Sequence, residues 1–378
     1  MKQAKITFLT RFYPPNPNVN GKEVRDMAYY LEENHGIASN IITVDRELDR
    51  GGVSKRSPVG NVIRLKTRFK GEGKLTKMIA MLYDGYLMAR HSLKYKDTFI
   101  IVTSSPPLLP FWVSLFYGKK MRWSFWTLDL FPEGLAASGY INKKNPLYGF
   151  FKRKTYRATP SHIIALGPKQ AEHVLKEFGK PIPISIHPCG VHVTPEKGTD
   201  TPEWHDAHKI TLGYCGNLND AHNASFLKAV IDHINPEQQQ LILSLYGNQA
   251  DQIKTYAAGK PGVHVVSFAD RLDLIDIHLV SLITSWTHIA VPSKAMSAIS
   301  MGCTILFCGS EESDIWHLFQ DAGWLIDESG NIENQVADYL KALSLETIQA
   351  KKAKTGAIHE GLKKNVIDTH EELAGMLG

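Results

Sequence analysis

Residues 5–44 read KITFLTRFYPPNPNVNGKEVRDMAYYLEENHGIASNIITV, and this stretch decides the fold. Lys5–Thr10 has the apolar pattern of a buried strand, and Gly21–His35 carries apolar residues at helical spacing until Gly36 stops the helix. Ala38–Val44 then reads as a second strand. A strand, a helix and a strand in this order predict a βαβ unit with two parallel strands.

The same alternation of strand and helix patterns continues outward from this unit to His187. A polar run rich in Pro and Gly follows, from Gly190 to Glu203, and the alternation restarts at Ile210. Two such series predict an α/β protein with two parallel sheets covered by helices. We predict domains at 1–190 and 209–360, a linker at 191–208 and a C-terminal helix at 361–378.

Length and composition agree with two globular domains, because 378 residues with 43% hydrophobic content exceed one ordinary core. The N-terminal apolar run Ile6–Leu9 is too short for a signal peptide, and no run approaches the roughly 18 apolar residues of a spanning helix. We therefore expect a cytoplasmic protein. Four scattered cysteines predict no disulfide framework, and no His-x3-His or Cys-x2-Cys pair occurs, so no metal site is expected.

Charge divides the chain into a basic and an acidic half. Residues 1–190 contain 30 Lys and Arg against 14 Asp and Glu, whereas the remainder contains 13 against 24. The basic residues of Lys55–Lys77 precede an apolar helix, and a second basic cluster spans Lys152–Arg157. Basic residues beside apolar ones favour an anionic membrane surface. A solvated helix face and a nucleic-acid patch are the alternatives, but no nucleic-acid-binding module is recognisable, so we expect no nucleic-acid partner.

Four segments resemble motifs of glycosyltransferase family 4, particularly its branch acting on bacterial surface-polysaccharide and lipid-linked sugars. In chain order, they are Arg11-Phe12-Tyr13-Pro14-Pro15 with Asn20-Gly21; Ser104-Ser105-Pro106-Pro107 with Leu128-Asp129-Leu130-Phe131-Pro132-Glu133; Tyr214-Cys215-Gly216-Asn217-Leu218; and Val291-Pro292-Ser293-Lys294, ending at Gly302. Each motif alone is weak. Their order and their positions after predicted strands make the resemblance specific.

The resemblance implies a GT-B architecture: two Rossmann-like domains facing across a cleft, with C-terminal helices packing back toward the N-terminal domain. It further implies a glycosyltransferase, retaining, that moves a sugar from a UDP-sugar to a glycan or lipid-linked acceptor in surface-polysaccharide biosynthesis. No cofactor or metal is implied. With the basic half, these expectations place the protein peripherally at the inner face of the membrane.

The donor site is predicted mainly in the C-terminal domain. A helix N-terminus suits a diphosphate, because its first N–H groups are unpaired and its dipole favours anions. Pro292 suits the first turn of such a helix, Ser293 can cap it, and Lys294 supplies a cation. An ordinary helix start with a solvated lysine is the alternative. The remaining donor-binding candidates are Gly21, Gly216, Asn217, His222, Phe268 and Ser297.

Gly21 is a candidate because a glycine lets backbone approach a ligand closely, although a plain helix-entry turn explains it equally well. Asp129 and Glu133 are the candidate catalytic residues, since both follow a predicted strand at its carboxyl end. Two carboxylates there can perform acid–base chemistry or stabilise positive charge on a sugar. The alternative for Asp129 is a helix cap.

The sequence also departs from the family pattern. Asn217 and His222 stand where many members have Arg and Lys, so neither position brings a permanent charge. Ile289 and Ser297 occupy the positions of the family's glutamate pair, whose second member holds the ribose hydroxyls. Two alternatives therefore stay open: a degenerate GT-B subunit that binds sugar nucleotides without catalysis, and a GT-B-like sugar-nucleotide epimerase.

Overall fold

The computed structural model describes residues 5–45, 56–67, 74–118, 121–192, 200–269 and 271–377. The chain divides into two compact units. Unit 1 comprises Met1–Cys189 and Lys364–Gly378, and unit 2 comprises Gly190–Lys363. The predicted domain bounds stay predictions, and most of the Pro/Gly-rich run of the linker, residues 193–199, lies outside the described residues.

Unit 1 is built on a seven-stranded parallel sheet with strand order β3-β2-β1-β4-β5-β6-β7. Every residue of the central strands β1, β4, β5 and β6 is buried, as expected for parallel strands covered on both faces. The strands are β1 (Ile6–Leu9), β2 (Ser39–Asp45), β3 (Asn61–Lys66), β4 (Phe99–Thr103), β5 (Trp123–Thr127), β6 (His162–Ala165) and β7 (Ile184–Ile186).

The helices of unit 1 connect these strands in the predicted alternation. The first helix ends where the sequence predicts, because Gly36 adopts the left-handed conformation with a φ of 62° and donates its N–H to Glu32. The helices are α1 (Val19–His35), α2 (Lys74–Ser92), α3 (Leu109–Phe116), α4 (Glu133–Ala137), α5 (Pro146–Thr155) and α6 (Pro168–Phe178).

Unit 2 repeats the architecture with a six-stranded parallel sheet of order β10-β9-β8-β11-β12-β13. Its strands are β8 (Ile210–Asn217), β9 (Gln239–Tyr246), β10 (Val263–Val265), β11 (Ile277–Ser281), β12 (Thr304–Gly309) and β13 (Gly323–Asp327). Its helices are α7 (Ala224–His233), α8 (Ala250–Ala257), α9 (Ser293–Ser300), α10 (Asp314–Phe319), α11 (Ile332–Ala342) and α12 (Leu345–Leu377). Two parallel sheets with crossover helices confirm the predicted α/β fold class.

The final helix, α12, begins in unit 2 and ends in unit 1. Within unit 1, Thr369 donates to the carbonyl of Ile186 at 3.0 Å, and Ser185 donates to Glu372 at 2.6 Å. The Tyr30 hydroxyl donates to Glu371 at 2.6 Å. These bonds confirm that the C-terminal helix packs against the N-terminal unit.

The order of strands gives each sheet one switch point, where the connections turn from one edge of the sheet to the other. In unit 1 this point lies between β1 and β4, and in unit 2 it lies between β8 and β11. Ligands of open parallel sheets bind beyond the carboxyl ends of the strands at such points. Among the described residues, no helix has the length and apolar character needed to cross a bilayer.

Candidate functional site

The unit 2 switch point carries Lys294, the second residue of α9. Its ammonium nitrogen lies 3.9 Å from the centre of the Tyr214 ring and donates to the Tyr214 hydroxyl at 2.6 Å. It also donates to the carbonyl of Asn217 at 3.1 Å. Lys294 is thus held at the carboxyl end of β8 by a π face and two oxygens, none of which carries a full charge.

Burial lowers the pKa of Lys294 to about 7, because the charged form loses hydration there. A second charge brought to this site would reverse that effect, since an anion within about 4–6 Å favours the ammonium form.

The start of α9 differs in detail from the predicted cap. Pro292 precedes the first helical residue, Ser293 is that first residue, and no side chain caps this helix start. The prediction that Ser293 caps the helix is therefore wrong, because Ser293 lies one position inside it. The first N–H groups of α9 are consequently not used by a cap and can serve an anion beside Lys294.

His222 lies beside the lysine as a neutral imidazole. Burial, together with the charge of Lys294, lowers the pKa of His222 to about 3. Its Nδ1 lies 2.6 Å from the carbonyl oxygen of Ser281 at the end of β11, so Nδ1 donates and Nε2 is left as an acceptor. The sequence predicted that His222 brings no permanent charge but can donate a hydrogen bond; in the structure its donor nitrogen is used by Ser281.

Gly216 and Asn217 are the last two residues of β8, and Gly216 has a φ of 128° that favours glycine. Among the described residues, and apart from its two chain neighbours, no atom lies within 4 Å of the position a Gly216 side chain would take, so there is open space beside this backbone. Asn217 contributes its backbone carbonyl to Lys294. The structure thus brings Gly216, Asn217, His222 and Lys294 to one place.

Ser297 and Phe268 are placed differently. The Ser297 hydroxyl donates to the carbonyls of Gly190 at 3.3 Å and Ser293 at 3.2 Å, so it is engaged within unit 2. Phe268 follows β10, the edge strand, and its ring is 77% exposed. An aromatic ring this exposed at the carboxyl end of a strand offers a stacking face.

Asp129 follows β5 at the carboxyl edge of the unit 1 sheet. Its backbone N–H donates to the hydroxyl of Ser104, the residue after β4, at 2.9 Å. Burial raises the pKa of Asp129 to about 6, which suits a group that exchanges a proton near neutral pH.

Glu133 has separate partners from Asp129. It begins α4 and is 4% exposed, and its Oε1 lies 3.8 Å from the ammonium of Lys152 on α5. Lys152 also donates to Glu177 on α6 at 2.7 Å. Burial raises the pKa of Glu133, and the charge of Lys152 opposes that effect. The two candidate carboxylates, Asp129 and Glu133, therefore have different electrostatic neighbours.

Gly21 lies in the first turn of α1. A side chain there would place its Cβ 2.6 Å from the carbonyl oxygen of Phe12, in the loop after β1. The glycine is required because this loop packs directly on the helix. The sequence predicted that the backbone at Gly21 approaches a ligand closely; what approaches it in the structure is the protein's own loop at Phe12.

Three further residues of unit 1 were not anticipated as a group. Glu23 on α1, His187 just after β7, and Cys189 are each buried, and their side chains converge. Sequence spacing gave no signal for this cluster, because Glu23 and His187 are more than 160 positions apart. The sequence analysis assigned no role to Tyr214 beyond its place in a motif, although its ring and hydroxyl contact the ammonium of Lys294.

No protein-family model and no curated protein sequence matches this chain. Solved structures do match over nearly its whole length. The chain is similar to WaaG, a glycosyltransferase involved in lipopolysaccharide biosynthesis, with a TM-score of 0.66 and 12% identity over 98% of this chain and 99% of that one.

Two further solved structures are similar to this chain over nearly its whole length. Sucrose-phosphate synthase from Thermosynechococcus elongatus gives a TM-score of 0.70 with 12% identity over 99% of both chains. HepE of Anabaena, solved in complex with UDP and glucose, gives 0.64 with 12% identity over 99% of this chain and 100% of that one. At these identities the likeness establishes the fold, and the chain has the GT-B architecture of these glycosyltransferases.

Proposed function

We propose that the protein is a glycosyltransferase that takes a sugar from a nucleotide-sugar, with a UDP-sugar as the preferred donor. The observation that carries this proposal is Lys294, which lies at the uncapped start of α9, against Tyr214, at the switch point of unit 2. A diphosphate needs both cations and N–H donors, and this place supplies both.

The neighbouring residues support the same assignment. Gly216 leaves backbone open beside Lys294, and the neutral His222 presents one acceptor nitrogen. The exposed ring of Phe268 can stack on a nucleobase. In unit 1, Asp129 with its raised pKa is the proposed acid–base group, and Glu133 is the second candidate. We propose retention of anomeric configuration from the resemblance to family 4.

The decisive experiment is a donor panel. We expect release of nucleotide from one of the UDP-, GDP- or dTDP-sugars when a lipid-linked or glycan acceptor is present, and the anomeric configuration of the product tests retention. Nucleotide binding without release on any acceptor would favour the degenerate binding subunit. Conversion of the sugar with no acceptor present would favour the epimerase.

We further propose that the acceptor is presented at an anionic membrane, at the inner face of which the protein binds peripherally. Of the basic stretch 55–77, residues 55 and 68–73 lie outside the described residues, and Arg64 lies in β3, where it donates to the Pro14 carbonyl. Unit 1 offers a better-defined surface on three packed helices. Its exposed apolar side chains are Ile79 and Tyr86 of α2, Leu115 of α3, and Leu147 and Phe150 of α5.

Aromatic contacts join these helices into one face. Trp112 of α3 lies 5.4 Å from Tyr86, and Phe111 lies 6.0 Å from Phe150. The Lys154 ammonium lies 5.8 Å from the Phe150 ring, and Arg153 and Arg157 are exposed on or just after the same helix. A face with apolar side chains and adjacent cations suits the headgroup region of an anionic bilayer.

Co-sedimentation with vesicles of phosphatidylglycerol and phosphatidylcholine tests this surface. We expect salt-sensitive binding that is lost in the combined variant Leu147→Ser with Phe150→Ser and weakened in Arg153→Gln with Arg157→Gln. The control is Lys228→Gln with Lys254→Gln in unit 2, which should bind like the parent. A parent protein that stays in the supernatant at low salt would contradict the membrane proposal and leave the donor proposal intact.

A further inference from the structure

The cluster of Glu23, His187 and Cys189 in unit 1 combines three kinds of metal-ligating atom. Their exposed fractions are 5%, 1% and 5%, so a carboxylate, an imidazole and a thiol meet out of contact with bulk water. One ligand atom from each lies within 4.8 Å of the other two. Such a set differs from the exposed acidic groups that are common on protein surfaces.

The separations are close to those of a bound ion. Bond lengths of about 2.3 Å to sulfur and about 2.0–2.2 Å to nitrogen and oxygen place tetrahedral ligands about 3.5 Å apart. Ligand atoms at 4.8 Å or less need to move by about 1 Å, which side-chain rotations can supply. The backbone of Glu23 is held by α1, and His187 directly follows β7 and donates its N–H to the carbonyl of Ala165 at 2.7 Å.

The ligand types select the metal. A thiolate and an imidazole favour zinc over the hard cations Mg²⁺ and Ca²⁺, which prefer oxygen. A carboxylate as third ligand is common for Zn²⁺, and three protein ligands leave a fourth position for a water or a substrate oxygen. We propose that Glu23, His187 and Cys189 form a Zn²⁺ site at the carboxyl edge of the unit 1 sheet.

The ring of His187 is held by two neighbouring side chains. One nitrogen of His187, Nε2, lies 3.2 Å from Nε2 of His370, and its ring packs edge-on to Trp126 at 4.9 Å. Metal-binding histidines are usually held in this way through the nitrogen that does not bind the ion. His370 and Trp126 therefore act as positioning residues for the site.

A second cluster in the same unit provides the contrast. Glu133, His173 and Glu177 also bring three ligand atoms within 4.8 Å of one another. There, however, the ammonium of Lys152 lies 2.7 Å from Glu177 and 3.8 Å from Glu133 and already supplies the cation. We expect no zinc at that cluster.

The test uses the full-length chain with any affinity tag removed. After treatment with a chelator, the protein is titrated with Zn²⁺ in competition with a chromophoric chelator. We expect one Zn²⁺ per chain, and we expect Cys189→Ala and His187→Ala to weaken binding by about 10- to 100-fold or more, since even outer-shell changes cost that much. Co²⁺ in place of Zn²⁺ should give a thiolate-to-metal absorption band in the parent that Cys189→Ala lacks.

Cys303→Ala is the matched control, because Cys303 is also buried but lies in unit 2, outside the cluster. It should keep the parent affinity, as should Glu177→Gln in the second cluster. Should Cys189→Ala fail to fold, Glu23→Gln takes its place and should also weaken binding. Less than one tightly bound Zn²⁺ in the parent, no thiolate band with Co²⁺, or equal losses in the control would each overturn the proposal.

Discussion

The carboxyl edges of the two sheets have the same topology and opposite chemistry. At the edge of unit 2, a lysine, a neutral histidine, an open glycine and an uncapped helix start lie together. At the edge of unit 1, the carboxylate of Glu23, the imidazole of His187 and the thiol of Cys189 converge. Under the proposals above, one edge would bind an anion, whereas the other would accept protons or a cation.

The two sheets share one topology and differ in the side chains at their carboxyl edges. Both sheets are parallel with one switch point, so the backbone alone does not distinguish them. We propose that the side chains after β8 and at the start of α9 bind a diphosphate, and that those after β5 take a proton from a hydroxyl acceptor. The fold supplies two equivalent positions, and the sequence makes them complementary.

The sharpest way to break the comparison is Asp129→Asn. If Asp129 is the acid–base group, turnover should fall by about 10²- to 10⁴-fold with little change in nucleotide affinity. We do not expect the Asp129→Asn variant to lose activity by unfolding. Because the folded pKa of Asp129 is about 6 and the unfolded value is lower, the charged form costs stability as pH rises through that window.

The asparagine variant should therefore be as stable as the parent at pH 7, or more so, which thermal unfolding would verify. Steady-state rates with the true acceptor are the measurement. An unchanged turnover number would show that Asp129 serves only to organise the loop through Ser104.

Lys294→Ala tests the opposite edge. Loss of the ammonium should weaken UDP binding by about 1.5–3 kcal/mol, the range for hydrogen bonds to charged groups. Calorimetric titration measures this change, with Lys254→Ala on the exposed face of α8 as the control. Equal affinity for UDP in the Lys294 variant and the parent would remove the central observation behind the proposed donor site.

The pH dependence of UDP binding refines the role of the same residue. With a pKa of about 7, Lys294 is increasingly neutral in the free protein above pH 7, so binding must take up a proton. Affinity should then fall by up to about tenfold per pH unit between pH 7 and 9. His222 stays neutral throughout this range, because its pKa is about 3.

Lys294→Arg is the control for this effect, since arginine stays charged and leaves only the titration of the nucleotide itself. Dissociation constants at pH 6, 7, 8 and 9 compare the two proteins. Parallel pH profiles for the parent and the arginine variant would contradict the shifted lysine.

Ser297→Ala should have the smallest effect. Its hydroxyl is shared between two carbonyls at 3.2 and 3.3 Å, so we expect a loss of at most about 1 kcal/mol in the free energy of unfolding. UDP affinity should change less than in Lys294→Ala. A larger loss of affinity than of stability would place Ser297 in contact with the donor, as the sequence predicts.

Local patterns predicted the fold because they depend on neighbours in sequence. The apolar run of β1, the helical spacing of α1 and the stop at Gly36 each need only a few residues, and the structure confirms them. The position of Lys294 could also be predicted locally, because a proline followed by a serine and a lysine is typical of a helix start, and Lys294 is the second residue of α9.

The sequence did not predict which polar residues of unit 1 lie close together. Glu133 looked like a partner of Asp129 from their spacing, yet its contacts come from α5 and α6, which follow later in the chain. The convergence of Glu23 with His187 and Cys189 brings α1 together with the segment that follows β7, more than 160 positions later in the chain. Such contacts follow from the strand order of the whole sheet, which no short segment determines.

The division of α12 between the units has a consequence for how the protein is made. Unit 1 needs residues 364–378 to complete it, yet these emerge from the ribosome only after all of unit 2. Until then, Ser185, Tyr30 and Ile186 lack the bonds that Glu372, Glu371 and Thr369 provide. Unit 1 is thus begun first during synthesis and completed last. A chain truncated after Lys363 would contain all residues of unit 2 but would lack the last segment of unit 1.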